Sequence, residues 1–277
     1  MIRSAVTVSL VPEARGGPFV FWDDLADACR HAGNLGFDGI EVFPPGPDAV
    51  DPNVLRSLLS ESNLGLAAVG TGAGWVKHKL TLASADPGIR QAAQDFIKAM
   101  IDFAGRLGAP AIIGSMQGRY GEGVDLTTAL GYLSEGLEVL GSHAASYGVP
   151  LLYEPLNRFE TNLINRLGDG VNLLARLQTK NVRLLADLFH MNIEEQDLAR
   201  AIHEAGPAIG HVHFVDSNRR AAGKGHIDFG PIARALNAIH YQGYLSAEAM
   251  ADGDSQAAAR LTIKTFQLLF PASLHQA

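Results

Sequence analysis

LLYEPLNRFETN, residues 151–162, is an apolar run that ends at Glu154 and continues as a polar segment. Large apolar residues directly before a carboxylate are typical of a buried parallel strand near its carboxyl end. Three later segments share this design: VRLLAD ends at Asp187, GHVHF contains His213, and YLSAE ends at Glu248. Each run therefore brings one side chain that can bind a metal to the end of a predicted strand.

The spacing of these four residues predicts how they are arranged. Neighbouring members are separated by roughly 26 to 35 positions, which suits a strand, a loop, a helix and a return to the next strand. In a (β/α)₈ barrel the carboxyl ends of all strands meet on one face. Four ligands from four consecutive strands should therefore meet there as an oxygen-rich cluster with one histidine.

The whole chain has the pattern of such a barrel. Its 277 residues slightly exceed the roughly 250 of a typical barrel. Eight apolar runs, each followed by a helical pattern, predict the strands: 5–11, 39–43, 65–69, 111–115, 150–154, 182–187, 210–215 and 244–248. The prediction is an α/β fold, a (β/α)₈ TIM barrel, in a single domain over residues 1–277.

Helix starts are marked most clearly where Asp is followed by Pro, at 51–52 and 86–87. The first helix is predicted to include Trp22. Weaker helical patterns cover 21–34, 126–147, 168–178, 197–205, 230–240 and 254–269. Three connections are long enough to be functional loops, and all three are predicted to lie at the carboxyl ends of the strands: 70–85, 155–167 and 216–229.

Composition excludes several classes of protein. The formal net charge of −7 argues against a nucleic-acid partner, because phosphate binding requires clustered Lys and Arg. Cys29 is the only cysteine, so an intrachain disulfide is excluded and a reducing, cytoplasmic location is expected. No apolar segment approaches the roughly 18 residues of a membrane span, and the first residues are interpreted as a strand instead of a secretion signal.

Ligands of this kind predict both a cofactor and a reaction. Oxygen ligands with one imidazole favour one divalent ion per chain, Mn²⁺ first and Mg²⁺ or Co²⁺ next, over a structural zinc. Two positions of an octahedral ion stay open for the two oxygens of a vicinal hydroxy-ketone. The C–H of the hydroxyl-bearing carbon next to the carbonyl becomes acidic, because the ion stabilises the cis-enediolate that proton loss leaves. The reaction class predicted from these residues is therefore proton abstraction from a carbon next to a carbonyl.

Inversion at carbon requires two proton carriers on opposite faces. Glu154 and Glu248 come from strands three places apart, so we assign them as the acid and base. His190 and Arg219 follow two of the ligand strands closely enough to reach the developing oxyanion, and Glu160 is positioned to anchor the far end of the sugar through a hydroxyl.

The roles of four further residues stay open at this stage. His211 shares a strand face with His213, so it is either an alternative ligand or, more in keeping with its depth, a hydrogen-bonded core histidine. Glu41, at the end of the second strand, is either a substrate contact or a hydrogen-bonded carboxylate. Trp75 in the 70–85 loop is either a wall of the pocket or a surface residue, and Arg119 is either an anion contact or a solvated charge.

Five stretches of the sequence resemble one known family: EPLNRFET at 154–161, ADLFHMNIEE at 186–195, HFVDSNRRAAGKGHIDF at 213–229, VGTG at 69–72 and IIGSMQGR at 112–119. Together they make most of the chain similar to the xylose-isomerase-like TIM barrels, and within these to the ketose 3-epimerase branch. The chain looks most like the 5-keto-L-gluconate epimerase type, followed by the D-tagatose/D-allulose 3-epimerases.

The resemblance implies roles for particular residues. Glu154, Asp187, His213 and Glu248 match the family's metal ligands, and the two glutamates also match its catalytic pair. Three further positions match its substrate-binding residues: Glu160, His190 and Arg219. Homo-oligomers, dimers or tetramers, are also implied.

With this resemblance, the leading hypothesis is a divalent-metal-dependent epimerase of a keto-sugar or keto-sugar acid, acting through a metal-bound cis-enediolate. Other functions stay open on the same residues. A hydroxypyruvate-type aldose–ketose isomerase returns the proton to the adjacent carbon, and a 3-keto-glycoside eliminase or hydratase expels a substituent. A DNA-repair endonuclease on this scaffold needs a multi-zinc cluster and a basic groove, which the charge of −7 opposes. A sugar-binding module without catalysis needs no opposed pair of carboxylates.

Overall fold

The computed structural model describes residues 1–121 and 123–271 and has a closed barrel of eight parallel strands with helices around it. The barrel order is β1-β3-β4-β5-β6-β7-β8-β9, and β9 pairs with β1 to close it. The strands are β1 (Arg3–Ser9), β2 (Phe21–Trp22), β3 (Gly39–Phe43), β4 (Gly65–Gly70), β5 (Ala111–Ile113), β6 (Leu151–Tyr153), β7 (Val182–Asp187), β8 (Ile209–His213) and β9 (Tyr244–Ala247). The predicted (β/α)₈ TIM barrel is confirmed.

Ten α-helices lie in the described part of the chain: α1 (Leu25–Leu35), α2 (Pro52–Glu61), α3 (Ala73–His78), α4 (Pro87–Gly105), α5 (Leu126–Ala145), α6 (Leu167–Arg176), α7 (Leu188–Glu194), α8 (Leu198–Ala205), α9 (Phe229–Ala238) and α10 (Ser255–Leu269). The two Asp-Pro starts are confirmed, since the side chains of Asp51 and Asp86 cap α2 and α4. Two short helices, α3 and α7, were not predicted. Residues 272–277, the end of the predicted domain, lie outside the described residues.

The prediction of a helix over 21–34 was wrong at its start. Phe21 and Trp22 form β2, which pairs with the edge of β1, and the indole of Trp22 donates to the Phe19 carbonyl at 3.0 Å. The side chain of Asp24 accepts from the Asp27 backbone N–H and starts α1 at Leu25. Pairing of Phe21 and Trp22 with β1, together with the Asp24 cap, therefore places the start of the helix later than the local sequence pattern predicts.

Alternation along the strands divides the buried residues into two groups. The main core lies between the barrel and the helices, whereas Ala68, Ile112, Leu152 and Leu185 form a separate buried cluster. Leu152 and Leu185 each lie two residues before a predicted ligand, on the same face of their strand. This apolar cluster therefore fills the barrel beneath the ligands, and the interior below the site is packed.

All strands run parallel, so their carboxyl ends share one mouth of the barrel. The three long connections, 70–85, 155–167 and 216–229, follow β4, β6 and β8 and lie at that mouth, as predicted. Among residues 1–121 and 123–271, none of the helices has the length and apolar character needed to cross a bilayer.

Candidate active site

The four predicted metal ligands lie at the mouth of the barrel, each at the end of its own strand. Asp187 and His213 are the last residues of β7 and β8, while Glu154 and Glu248 directly follow β6 and β9. All four are buried. Each offers one ligand atom, and these atoms lie within 4.8 Å of one another. The structure therefore brings together the residues that the strand spacing selected.

Three carboxylates converge on one ring nitrogen. His213 Nδ1 lies 3.1 Å from Asp187 Oδ2, 3.4 Å from Glu154 Oε1 and 3.6 Å from Glu248 Oε2. Burial raises the pKa of Glu248 to about 8, and the charges of Glu154 and Asp187 add to this rise against the opposing effect of His213 and Arg219. The cluster is thus short of positive charge, which a divalent cation would supply.

The side chains present fit such a cation. Glu154 Oε1 is buried and has no hydrogen-bond partner in the described structure, although buried polar atoms are normally paired. Three carboxylates and one imidazole are the donors that Mn²⁺ and Mg²⁺ accept. Gly114 also accommodates the site, because a Cβ there would lie 2.5 Å from Glu154 Oε2. A side chain at position 114 would force this carboxylate to move from the position it has here.

Two of the predicted ligands are oriented by neighbouring groups. Asp187 caps α7, with Oδ1 accepting from the backbone N–H groups of Phe189 (2.7 Å) and His190 (3.0 Å), which leaves Oδ2 facing His213. On the other side of the His213 ring, Nε2 lies 3.1 Å from Glu41 Oε1. When Nε2 donates to Glu41, Nδ1 keeps its lone pair for a metal.

His211 completes this support. Its Nε2 lies 2.7 Å from Glu41 Oε2, so Glu41, on β3, bridges two histidines of β8 across the barrel interior. Burial opposes ionisation of Glu41, but His213 and His211 together hold its pKa well below the usual range. Glu41, His211 and His213 could also be read as a metal-binding trio. In this structure each histidine pairs with a different oxygen of Glu41, so His211 is a hydrogen-bonded buried histidine and Glu41 contacts the His213 ring on the side opposite the four-residue cluster.

The three predicted substrate contacts form one connected group beside the cluster. Arg219 Nη1 donates to Glu160 Oε1 at 2.8 Å, and Arg219 Nη2 donates to Glu248 Oε2 at 3.2 Å. His190 Nε2 lies 3.5 Å from Arg219 Nη2 and 3.8 Å from Glu154 Oε1. The guanidinium and imidazole therefore lie against the two carboxylates assigned as acid and base.

Asn157 is a contact that sequence reasoning missed. Its Nδ2 lies 2.7 Å from His190 Nδ1 and 3.4 Å from Glu160 Oε1, so it joins two of the predicted residues. The signal was available, because Asn157 lies inside the EPLNRFET stretch between Glu154 and Glu160. Its partner His190 lies 33 positions later, on α7, and the sequence does not show that the two side chains meet.

The loop that carries Arg219 is built around Asp216. Asp216 is buried, and its carboxylate accepts from three backbone N–H groups of the loop: Ser217 (2.8 Å), Gly223 (2.9 Å) and Ile227 (3.1 Å). Arg219 itself has a left-handed backbone with φ of 59°, which is unfavourable for a residue with a side chain. The Asp216 hydrogen bonds therefore hold the loop in the conformation that aims Arg219 at the cluster.

Asp216→Asn is expected to lower the free energy of unfolding by about 2 kcal/mol near neutral pH. One carboxylate oxygen that accepts from backbone N–H groups becomes an NH₂ group, which cannot accept and leaves a buried donor without a partner. Burial opposes ionisation of Asp216, but the backbone N–H groups, that of Ile227 first, hold its pKa below the usual range. A carboxyl group whose pKa is lower in the folded than in the unfolded protein stabilises the fold at pH values above its unfolded-state pKa of about 3.9. This stabilisation is lost as the pH falls through the folded-state pKa. Urea unfolding of both proteins between pH 7 and about pH 3 should show the difference shrinking in acid; a constant difference would contradict this assignment.

A pocket of about 340 Å³ opens over the cluster. Glu154, Glu248, Glu160 and Arg219 line its polar side, and Arg219 is the only Lys or Arg among the described residues that line it. The other walls are largely apolar and include Val11, Phe19, Phe43, Trp75 and Leu156. The volume is at the small end of ligand pockets, which span about 300–1,000 Å³, and suits one sugar unit.

Fold and site together define a class of protein: a TIM barrel with a buried carboxylate–histidine cluster at its carboxyl mouth. A family model described as Xylose isomerase-like TIM barrel matches residues 29–269, and the chain belongs to this family.

Relatives support a narrower grouping. The chain is 31% identical over 234 residues to the D-psicose 3-epimerase of Agrobacterium fabrum (strain C58), covering 83% of this chain and 78% of the relative. It is 30% identical over 232 residues to the 3-dehydro-D-guloside 4-epimerase of Escherichia coli (strain K12), covering 81% and 87%. A solved L-ribulose 3-epimerase superposes with a TM-score of 0.80 at 26% identity, over 97% of this chain and 94% of that one. The predictions of the ketose epimerase branch and of an isomerase-class enzyme are confirmed.

Proposed function

We propose that the protein epimerises a keto-sugar at the carbon next to its carbonyl, with Glu154 and Glu248 as the two proton carriers. One observation carries the proposal: two buried carboxylates from β6 and β9 face the same pocket, in a cluster whose ligand atoms lie within 4.8 Å of one another. One carboxylate removes the proton from one face of the carbon, and the other returns a proton to the opposite face. Both carboxylates are buried at the floor of the pocket, beside the place that the reacting carbon would occupy.

One divalent ion, with Mn²⁺ proposed first and Mg²⁺ or Co²⁺ next, would be held by Glu154, Asp187, His213 and Glu248. When bound, such an ion acts as a Lewis acid that stabilises negative charge on the substrate oxygens. The protein's own groups act beside it. Arg219 and His190 lie next to the two carboxylates, where they can bind the carbonyl oxygen, and Glu160 can accept from a hydroxyl farther along the sugar.

The pocket favours a neutral substrate over a carboxylated or phosphorylated one. Arg219, the only Lys or Arg among the described lining residues, already donates to Glu160 and Glu248. An anionic substituent would thus have to compete with two carboxylates for one guanidinium. The two relatives, a D-psicose 3-epimerase and a 3-dehydro-D-guloside 4-epimerase, are also named for uncharged keto-sugars.

A screen of keto-sugars with Mn²⁺ in D₂O tests this function. We expect the product to be an epimer of the substrate with one solvent deuterium at the inverted carbon, visible by NMR. An isomer whose carbonyl has moved, with deuterium at the former carbonyl carbon, would indicate an aldose–ketose isomerase. Release of a substituent would indicate an eliminase. Turnover of none of these sugars would contradict the proposal. The homo-oligomer stays a prediction, which analytical ultracentrifugation would test.

A further inference from the structure

A second cavity adjoins the pocket over the cluster. It has a volume of about 710 Å³ and shares the lining residues Trp75, Ser115 and Glu160 with that pocket, so the two spaces lie side by side. We call it the outer groove; its other lining residues include Lys79, Thr81, Arg119, Tyr120 and Phe159. A single sugar unit over the cluster leaves this groove vacant.

Exposed aromatic side chains are concentrated in the outer groove. Phe159 is 76% exposed, Tyr120 41% and Trp75 38%, and all three line it. Apolar side chains exposed next to a pocket often mark a binding surface, because their burial against a ligand is favourable. Flat aromatic faces suit the C–H faces of sugar rings, while a Tyr hydroxyl or a Trp N–H can bond to hydroxyl groups.

The walls of the groove are tied together before any ligand binds. Thr161 Oγ1 donates to the Gly118 carbonyl at 2.8 Å, and Arg119 Nη1 donates to the Phe159 carbonyl at 3.3 Å. Tyr120 and Asn162 exchange two further hydrogen bonds, of 2.9 and 3.1 Å. Four bonds thus join the segments that carry Tyr120 and Phe159, so the aromatic walls require little ordering on binding.

The polar groups of the groove suit a neutral ring. Hydroxyl groups of Thr81, Ser84 and Ser115 line it, together with charged groups of both signs: Lys79, Arg119, Asp86 and Glu160. Mixed charges with hydroxyls match the donors and acceptors of a polyhydroxylated ring better than a phosphate, which requires clustered cations.

We propose that the outer groove is a subsite for a second sugar ring, so that the preferred substrates are keto-sugars with a glycosidic substituent. This inference rests on the proposed function, because the reacting unit occupies the pocket over Glu154 and Glu248. When the glycosidic bond is at the anomeric carbon of the reacting unit, that carbon is no longer a free carbonyl. The reacting carbonyl is then another carbon of the ring, as in a 3-keto-hexoside. One C–H bond breaks and another forms at the same carbon, the substituent is retained, and no co-reactant is needed.

The test compares a disaccharide whose reacting unit is a 3-keto-hexoside with the methyl glycoside of the same unit. For the wild-type protein with Mn²⁺, we expect kcat/KM for the disaccharide to exceed that for the methyl glycoside at least about tenfold. Phe159→Ala and Tyr120→Ala should each remove most of this ratio, since an aromatic contact contributes up to about tenfold. Two variants are used so that a folding failure of one does not decide the result.

Leu268→Ala is the matched control. Leu268 is 75% exposed on α10, whose end lies at the opposite mouth of the barrel, and its truncation should leave the ratio unchanged. Equal kcat/KM for both sugars in the wild type, or an equal loss for both in the Phe159 variant, would overturn the subsite while leaving the proposed function intact. Binding measured by calorimetry distinguishes the opposite outcome, in which the subsite exists but the protein is not an epimerase. Tight, Phe159-dependent binding of the disaccharide without turnover of either sugar would support the subsite and contradict the proposed function.

Discussion

Glu154→Gln and Glu248→Gln are each expected to lower kcat for epimerisation by about 10³–10⁴-fold, because each removes one of two proton carriers. The amide is close in size to the carboxylate, so the pocket keeps its shape while the proton transfer on one face is lost. Rates are measured by NMR at saturating Mn²⁺ with both epimers as substrate.

A two-carrier mechanism predicts a further difference between the two variants. Each should still exchange the substrate proton with D₂O slowly from one epimer, through the remaining carboxylate, without inverting the carbon. The favoured epimer should differ between the variants, because the two carboxylates approach opposite faces.

The control for this experiment separates loss of proton transfer from loss of the ion. Glu61→Gln replaces an exposed carboxylate at the end of α2 and should have the wild-type rate. Bound manganese is quantified in each preparation by elemental analysis, because Glu154 and Glu248 are also proposed ligands. Inversion at a near-normal rate in either glutamine variant would rule out the acid/base assignment.

Removal of divalent metal by a chelator is the second large effect. We expect turnover to be abolished and to return with Mn²⁺, because the proposed ion would balance the charge of three buried carboxylates beside one imidazole. A ligand present at 100 times its Kd stabilises the folded state by about 2.7 kcal/mol. For a chain of this size we therefore expect Tm to rise by roughly 5–10 °C when Mn²⁺ is added to the metal-free protein.

Glu41 provides a specific control for the metal effect. Glu41→Gln should weaken Mn²⁺ affinity about 10–100-fold, because the residue no longer fixes the His213 ring through a charged hydrogen bond. Its kcat at saturating Mn²⁺ should change much less. A metal-independent rate in the wild-type protein, or an unchanged Tm on adding Mn²⁺, would contradict the proposed ion.

The ligand positions were predictable because each depends on a local pattern. An apolar run followed by a carboxylate or an imidazole marks a strand end, and parallel strands of a barrel place those ends on one face. Glu154, Asp187, His213 and Glu248 each have this pattern, and the structure gathers all four. The Asp-Pro helix starts were predictable for the same reason, since a cap involves only neighbouring residues.

The contacts around the ligands depend on the tertiary structure. Glu41 and His211 are 170 positions apart, and only closure of the barrel brings them together to orient His213. The strand of Phe21 and Trp22 exists because β1 offers an unpaired edge, which a local pattern does not contain. The outer groove likewise forms where three separate connections meet. The sequence alone determined the barrel and the positions of the four proposed ligands, because strand periodicity is local. The orientation of those side chains and the shape of the pocket arise from residues that meet only after the barrel closes.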